Sequence, residues 1–233
     1  MTAQTESLFA RAARGPQIGL FTGADLTAWR PPRGEWRTAA AVRLDPKDPR
    51  RFQVAPGRGV LVNGPKGRTV DLLSAEEFGD AWVHVEFCIP KGSNSGVYLM
   101  GRYELQIYDS YGSARGEYPG IECGGIYPRW IGGRRIGGRS PLRNVSRPPG
   151  QWQSFDILFR APRFDRKGKK IRPACFLEAR HNGTVVHRNA VVNGPTRAAR
   201  FADEKPKGPL MLQGDHGPAA YRNIWIRPID GAE

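Results

Sequence analysis

Glycine, proline and Asn-Gly pairs interrupt this chain roughly every 8–12 residues, and that spacing constrains its fold more than any other feature. The 233 residues include 29 glycines and 20 prolines. Asn63-Gly64, Asn182-Gly183 and Asn193-Gly194 mark turns, because Asn and Gly both tolerate positive φ angles. This pattern argues against a helical bundle and predicts short strands joined by turns, as in an all-β sandwich or barrel.

Between the turns, several segments alternate between apolar and polar residues, as strands with one buried face do. In Trp82–Ile89 the odd-numbered residues are apolar, while His84 and Glu86 share the opposite face. Tyr103–Tyr108 alternates in the same way, with Glu104 and Gln106 on its polar face. The other predicted strands are Val97–Leu99, Phe155–Phe159, Ala174–Ala179, Thr184–His187, Pro209–Gln213 and Tyr221–Ile226.

The chain contains no linker rich enough to split it, so we expect one domain over residues 19–233, preceded by an N-terminal arm at 1–18. Its apolar stretches are only a few residues long, which predicts no membrane-spanning helix. The opening MTAQTESLFARAARG lacks the apolar core and the cleavage site of a signal peptide. The sequence as it stands therefore predicts a cytoplasmic protein, with export left open for a trimmed form.

The formal net charge of +14 raises the question of a nucleic-acid partner. The basic residues are scattered along the chain without a known nucleic-acid motif, so we expect no dedicated nucleic-acid site. Three cysteines without CxxC spacing predict neither a disulfide framework nor a zinc cluster, and Cys88 and Cys175 lie in apolar runs that predict burial. Ile131–Ser140, rich in Gly and Arg, is predicted to be a flexible loop.

The polar face of Tyr103–Tyr108 is the most informative part of the sequence. Glu104, Gln106 and Tyr108 line up there, with Asp109 at the strand end. We expect His84 and Glu86 to extend this face on a neighbouring strand. Aromatic rings beside carboxylates and amides suit a sugar, whose C–H faces stack on rings while its hydroxyls pair with polar groups. The alternative is a solvated convex face.

Histidine supplies the second candidate group. His216 lies in the polar run Gln213–Gly217, directly after an apolar strand, and histidine is a common general base and metal ligand. An exposed turn histidine is the alternative interpretation. His181 and His187 flank the Asn182-Gly183 turn and are predicted to be exposed. The chain has no pair of carboxylates spaced as in two-carboxylate sandwich glycosidases, so that mechanism is not indicated.

Several motifs together resemble the signature of the 3-keto-disaccharide hydrolase family over residues 19–229. They are Leu20–Trp29, Ser93–Leu99, Gly101–Ser110, Cys123–Tyr127, Pro148–Gln153, Leu212–Gly217 and Tyr221–Ile226. The resemblance implies a concanavalin A-like jelly-roll sandwich of two antiparallel sheets. It also implies action on 3-keto-glycosides, as a hydrolase or as a 1,2-lyase that hydrates the resulting glucal. Ile131–Ser140 and Arg37–Arg58 depart from the family pattern and leave the particular substrate open.

A ketone at C3 acidifies the hydrogen at C2, so such a site needs a base, an electrophile for the enolate oxygen and an acid for the leaving group. We predict that Glu104 and His216 converge as the catalytic pair, and that either or both could ligate a divalent metal of unidentified type. Asn94 and Ser95 are predicted to close a turn before Val97–Leu99 and to be structural. The predicted substrate-binding residues are Tyr98, Arg102, Gln106, Tyr108, Asp109, Trp130 and Gln213.

Two other functions remain open at this stage. A lectin-like carbohydrate-binding module could use the same fold without chemistry, since a fold does not fix a function. A basic surface-interaction protein is the weaker third hypothesis. Only an enzyme needs a base beside an acid. Whether Glu104 and His216 lie together therefore distinguishes the enzyme from the two other hypotheses.

Overall fold

The computed structural model describes residues 12, 13 and 15–229. Most of the predicted arm, residues 1–11 and 14, lies outside the described residues, and the division into an arm and one domain stays a prediction. The described residues form the following strands: β1 Ile18–Phe21, β2 Arg37–Leu44, β3 Phe52–Val62, β4 Leu72–Phe78, β5 Ala81–Cys88, β6 Asn94–Leu99, β7 Tyr103–Tyr108, β8 Arg129–Ile131, β9 Arg134–Ile136, β10 Gln153–Arg160, β11 Arg163–Phe164, β12 Lys170–Arg172, β13 Ala174–His181, β14 Thr184–Val192, β15 Gly208–Leu212 and β16 Ala220–Pro228.

Two antiparallel sheets make up the sandwich, which confirms the predicted fold class. The large sheet has the order β14-β13-β10-β5-β16-β3-β2, and β1 also pairs with β16. The small sheet has the order β4-β15-β6-β7. The pairs β2–β3, β6–β7 and β13–β14 are hairpins, but strands distant in sequence, such as β5 and β16 or β6 and β15, are also neighbours, so both sheets depend on long-range pairing.

The apolar faces predicted from alternation fill the space between the sheets. Val83, Val85 and Phe87 of β5 and Leu105 and Ile107 of β7 are fully buried and belong to one core cluster. The polar faces of these two strands therefore point away from each other, because each apolar face must reach the shared core. β7 pairs with β6 in the small sheet, while β5 lies between β10 and β16 in the large one.

The expectation that His84 and Glu86 extend the Glu104 face is consequently wrong. His84 stacks on Trp225 on the outer side of the large sheet, and its Nδ1 lies 2.9 Å from Asp156 Oδ1. Glu86 accepts a hydrogen bond of 2.6 Å from Arg222 Nε on the same side. These groups are mutually satisfied on the opposite exterior of the sandwich, so they take no part in the site around Glu104.

The Gly/Arg-rich segment is more ordered than the sequence predicted. Its first half pairs with Arg129 and Trp130, so that β8 and β9 form a small ribbon whose turn uses Gly132 and Gly133, both at positive φ. Arg37–Arg58 falls within the long β2–β3 pair at one edge of the large sheet. Glycine permits the first turn, whereas the turn between β2 and β3 is closed by Asp45 and Asp48, whose side chains accept from the Lys47 and Arg50 nitrogens.

The prediction that His181 and His187 are exposed is wrong. His181 is buried against Phe87 and Phe155, and its Nε2 lies 2.8 Å from Gln153 Oε1. His187 is also buried, and its Nε2 lies 2.7 Å from the carbonyl oxygen of Gly124. A hairpin often lies at the surface, but here the segment after β7 folds over β13 and β14 and covers both rings.

All three cysteines are buried and free, so the expectation of no disulfide framework agrees with the structure. In the part of the chain that the structure describes, no helix is long and apolar enough to cross a membrane.

Candidate active site

The outer face of the small sheet forms the floor of a cavity of about 320 Å³, which we call the central cavity. Residues directly opposite in an antiparallel pair share a face, and the β6–β7 register places Asn94, Gly96 and Tyr98 beside Tyr108, Gln106 and Glu104. The cavity is lined by Asn94, Tyr98, Glu104, Gln106, Tyr127, Arg197, Ala198, Gln213 and His216. Glu104 and His216, separated by more than a hundred residues, therefore line one cavity.

Glu104 is only 2% exposed, although it lies on the outer face of its sheet. The segment around Thr196 covers it: Thr196 Oγ1 accepts a hydrogen bond from the Glu104 backbone nitrogen (3.2 Å) and donates one to the Arg102 carbonyl (3.1 Å). In the orientation that satisfies the Gln106 amide, its nitrogen donates to Glu104 Oε1 at 3.0 Å and to the Ser95 carbonyl at 2.8 Å. The carboxyl group is thus held in one position by neighbours on two strands.

Burial raises the pKa of Glu104 well above its usual range. A hydrogen bond from Tyr98 acts in the opposite direction, while the negative charges of Asp71 and Asp215 raise the pKa further. A carboxyl group with a raised pKa keeps its proton at a pH where an exposed glutamate has lost it. Glu104 is therefore suited to donating a proton or a hydrogen bond.

Gly96 provides the space for this carboxyl group. A Cβ atom at Gly96 would lie 2.3 Å from Glu104 Oε1 and 2.9 Å from a ring carbon of Tyr98. Gly96 and Gln106 are direct partners in the β6–β7 ladder, so neither strand can move away without losing its pairing.

We therefore expect Gly96→Ala to displace the Glu104 side chain. The change should cost about 1–3 kcal/mol of stability, as overpacking typically does, and should reduce turnover at least 10-fold. Thermal unfolding and steady-state kinetics on the same preparation measure the two effects. Gly92→Ala is a suitable control, because a Cβ there meets no atom within 4 Å, although Gly92 has a positive φ of 69°. A Gly96→Ala protein with unchanged turnover would contradict the packing argument.

Asn63 holds the segment that carries His216. Its buried side chain donates to the carbonyls of Gly214 (3.2 Å) and Gly217 (2.7 Å), and its Oδ1 accepts from the Ala219 nitrogen (2.8 Å). Asp71 adds a further contact, since its Oδ1 accepts from the Gly214 nitrogen at 3.0 Å. The sequence indicated only a turn at Asn63, but in the structure its side chain holds the Gly214–Ala219 segment, which carries His216, next to the end of β3.

His216 is about half exposed at the side chain, and its Nδ1 lies 2.5 Å from Asp215 Oδ1. When Nδ1–H donates to this carboxylate, the lone pair of the neutral ring is on Nε2. A carboxylate that fixes the tautomer in this way also stabilises the imidazolium formed when the ring accepts a proton. The pair is therefore arranged as a general base that remains accessible from the cavity.

A divalent metal, predicted from the sequence, would have few protein ligands in this arrangement. Among residues 12, 13 and 15–229, no group of three or more His, Cys, Asp and Glu side chains is placed to hold a metal ion. Glu104 and His216 together would supply two protein ligands, fewer than the three that catalytic zinc sites use, so the metal stays a prediction.

The structure places the predicted substrate-binding residues in three groups. Tyr98, Gln106 and Gln213 line the central cavity with the catalytic pair. Gln213 Oε1 is buried and, among the described residues, has no hydrogen-bond partner, so it is available to a ligand hydroxyl. Tyr108 lines an adjacent cavity, and Trp130 lies outside the central cavity, where its ring stacks on Arg197 at 4.5 Å.

The predicted binding roles of Arg102 and Asp109 are not supported. Arg102 is buried, and it donates to the Asp203 carbonyl, Asp203 Oδ1 and the Met100 carbonyl while stacking on Phe201. Asp109 accepts a hydrogen bond of 2.8 Å from the Gly92 nitrogen, which fixes a turn. Both residues stabilise the loops at the ends of β6 and β7 and are absent from the cavity lining.

Sequence reasoning missed four residues in or beside the cavity. Tyr127 belongs to a motif that the sequence analysis identified, and its hydroxyl lies 2.6 Å from that of Tyr118. Asn94 was assigned a structural role, yet it lines the cavity. Arg197 and Asp71 carried no signal, because neither lies in an alternating strand or in a motif.

Asn94 and Ser95 differ in role, and they are the first residues of β6 and not part of a turn. Ser95 Oγ donates to the Gln213 carbonyl (2.8 Å) and pairs with the Tyr221 hydroxyl (2.6 Å), so its structural role agrees with the prediction. The side chain of Asn94 has no hydrogen-bond partner among the described residues, and it faces the cavity.

We expect Ser95→Ala to lower the free energy of unfolding by roughly 1–3 kcal/mol. Each kcal/mol corresponds to a drop of about 2–4 °C in the melting temperature. Asn94→Ala should leave the melting temperature nearly unchanged and lower kcat/KM about 10-fold, since losing one ligand hydrogen bond costs about that much. Calorimetry and kinetics on both variants test this contrast. A destabilised Asn94→Ala protein with normal turnover would restore the structural interpretation.

Comparison with known proteins gives a match to a protein family and to several solved structures. The profile of a family described as "3-keto-alpha-glucoside-1,2-lyase-like domain" matches residues 16–227. A candidate glycosyl hydrolase from Parabacteroides distasonis is similar in structure, with 28% identity, a TM-score of 0.64, and coverage of 91% of this chain and 83% of that one.

A second candidate glycosyl hydrolase from the same organism has 19% identity and a TM-score of 0.58, with 91% and 99% covered. A third has 17% identity and a TM-score of 0.55, with 99% and 98% covered. These two show a shared fold. No curated protein sequence matches the chain closely enough to count as a relative.

Proposed function

The chain belongs to the family of 3-keto-alpha-glucoside-1,2-lyase-like domains, and from this membership we propose that it cleaves 3-keto-glycosides by elimination in the central cavity. The family membership and the similarity to a candidate glycosyl hydrolase support a carbohydrate-active, hydrolase-like function. The ketosugar substrate and the elimination step are the specific part of the proposal.

His216 is the proposed base. Its Nε2 removes the proton at C2, which the C3 ketone has acidified, and the electron pair of the C2–H bond forms an enolate. The ketone then re-forms, the C1=C2 double bond forms, and the C1–O bond to the leaving group breaks. Asp215 supports this step because it stabilises the imidazolium that His216 becomes.

Glu104 is the proposed acid. Its neutral carboxyl group delivers a proton to the departing glycosidic oxygen, or a hydrogen bond to the enolate oxygen, and a raised pKa keeps that proton available. Gln213 Oε1 is placed to accept a hydrogen bond from a sugar hydroxyl. Water then adds across C1=C2, with hydroxide at C1 and a proton at C2, so the net reaction is hydrolysis.

One observation carries this proposal: a histidine oriented by a carboxylate lines the same cavity as a buried glutamate whose pKa is raised by burial. Elimination beside a ketone needs a base and proton or hydrogen-bond donors for the enolate oxygen and the leaving group, and these two residues would supply the base and one such donor. A binding module gains nothing from burying a carboxyl group, because burial of such a group is costly and aromatic and amide groups alone hold a sugar.

The test is incubation with 3-keto-trehalose and, separately, with trehalose. We expect release of free glucose from the ketosugar, accompanied by a transient absorbance of the conjugated enone, and no release from trehalose. Cleavage of both sugars at similar rates would contradict elimination. Binding of either sugar without cleavage would favour the lectin-like alternative.

A further inference from the structure

We propose that a second cavity, next to the central one, binds the leaving group of the substrate and selects leaving groups that carry an anionic substituent, a carboxylate or a phosphate. This inference rests on the proposed function for its biological meaning, but the site can be tested by binding alone. We call it the distal cavity. Its volume is about 560 Å³, and its lining includes Tyr108, Ser113, Arg115, Glu122 and Arg143.

Strand β7 places the two cavities side by side. Glu104 and Gln106 line the central cavity, and Tyr108, the next residue on the same face, lines the distal one. Two residues along a strand span about 6.5–7 Å, which is a step comparable to one sugar residue. The Glu104 carboxyl oxygen lies 3.0 Å from the Gln106 amide nitrogen, so a keto ring over Gln106 is within reach of Glu104. The leaving sugar of such a disaccharide extends toward Tyr108, whose ring can stack on the sugar's C–H face.

Two arginines give the distal cavity its selectivity. Arg115 and Arg143 both line it, and neither has a hydrogen-bond or ion-pair partner among the described residues. Both side chains are exposed, so their guanidinium groups are accessible to a ligand in the cavity. Two arginines without protein partners in one cavity lining favour an anion, since guanidinium groups bind carboxylate and phosphate with directed hydrogen bonds.

Glu122 is the acidic side chain in the lining, and its oxygens are already occupied. Oε1 accepts from the Gly116 nitrogen (3.2 Å) and from Ser140 Oγ (2.8 Å), and Oε2 accepts from the Gly120 nitrogen (3.1 Å). These contacts tie Glu122 to the loop backbone and not to Arg115 or Arg143. The carboxylate shapes the cavity and leaves both arginines available to a ligand.

The walls of the distal cavity are held in place before any ligand binds. Asn144 Nδ2 donates to the carbonyls of Ser110 (2.6 Å) and Ser113 (2.9 Å), which joins the two loops that form opposite walls. Ser110 Oγ accepts from the Cys123 nitrogen at 3.0 Å, which fixes the first loop to the core. A cavity organised in advance loses less entropy on binding than one that must form around its ligand.

The experiment is an NMR titration of the full chain at low ionic strength, in the absence of any ketosugar. The probes are methyl β-glucuronide, glucose 6-phosphate and the neutral methyl β-glucoside. The variants are Arg115→Gln, Arg143→Gln and the double variant. Arg166→Gln is the matched control, because Arg166 is an exposed arginine in the turn between β11 and β12, and its replacement changes the net charge equally.

We expect at least one anionic probe to bind 10-fold more tightly than methyl β-glucoside, and the comparison of glucuronide with phosphate identifies the preferred anion. The double variant should lose this advantage, whereas Arg166→Gln should keep it. Equal binding of all three probes, or an equal effect of Arg166→Gln, would overturn the proposal. Because no turnover is measured, the proposal can fail while the elimination mechanism stands, and the reverse also holds.

Discussion

Replacing His216 with alanine is expected to reduce cleavage of a 3-keto-glycoside by about 10²–10⁴-fold, because removal of a general base typically costs that much. The side chain is about half exposed, so its loss leaves no cavity in the core and the melting temperature should change little. Steady-state kinetics and thermal unfolding on one preparation measure both effects. A variant with normal turnover would make His216 a surface residue with no part in the chemistry.

Replacing Glu104 with glutamine should cause a loss of similar size but a different change in stability. Glutamine keeps the shape and loses the acidic proton. In the wild type the folded pKa of Glu104 is raised, so the unfolded chain ionises first as the pH rises, and stability falls from about pH 4.5 up to the folded pKa. Glu104→Gln removes this loss, so the variant should melt at a higher temperature than the wild type at pH 7.

The difference in melting temperature between Glu104→Gln and the wild type shows whether the lost activity comes from the lost acidic proton or from a packing defect. Each kcal/mol gained corresponds to about 2–4 °C in a chain of this size, and the gain should vanish below pH 4.5, where both proteins are neutral at this position. Melting curves at pH 5 and pH 7 measure the decline of this gain as the pH approaches 4.5. A variant that loses activity but is equally destabilised at both pH values would indicate a packing defect and not the loss of an acid.

A further large effect is expected in mild acid, where the wild-type protein should unfold because two buried histidines become protonated. Burial, with a smaller contribution from the charge of Arg147, lowers the pKa of His181 to about 3. Burial also lowers the pKa of His187 to about 4, although its hydrogen bond to the Gly124 carbonyl acts in the opposite direction. Below about pH 6.5 the unfolded chain binds protons that the folded chain does not, so stability falls as the pH falls from 6.5 toward 3–4.

The expected loss by pH 4 is roughly 3 kcal/mol for each ring, which is comparable to the whole stability of many domains. Circular dichroism against pH should therefore show cooperative unfolding at or above pH 4. His187→Gln keeps a donor for the Gly124 carbonyl, so it should move the midpoint to lower pH, while His216→Gln should not. An unchanged midpoint in His187→Gln would contradict the assignment.

The strands could be predicted from the sequence, because alternation reports directly which side of a strand is buried. It predicted β5, β7 and β10 and their apolar faces. It could not predict which sheet each strand joins, since pairing is decided by partners far away in the chain. For this reason His84 and Glu86, which share a polar face of β5, were wrongly placed beside Glu104, and they lie on the opposite exterior.

The candidate site was predictable where chemistry and motif agreed, as for Glu104, His216, Gln106 and Gln213. It was not predictable where a long-range contact decides the role of a residue. Arg102 belongs to a motif, but Asp203 and Phe201 occupy its guanidinium. Arg197 and Asp71 lie near the site only because of the tertiary fold, and no motif marks them in the sequence. His181 and His187 are buried by the segment after β7, which is far from both residues in sequence.

The most direct test of elimination is to cleave a 3-keto-glycoside in D₂O and examine C2 of the released ketosugar by NMR. The proposed mechanism removes the C2 proton and later returns one from solvent through an exposed His216, so the product should carry deuterium at C2. Its rate of appearance should match that of cleavage and fall with it in His216→Ala, and a sample without enzyme corrects for spontaneous exchange. A product that retains its original C2 hydrogen would show direct hydrolysis and contradict the account.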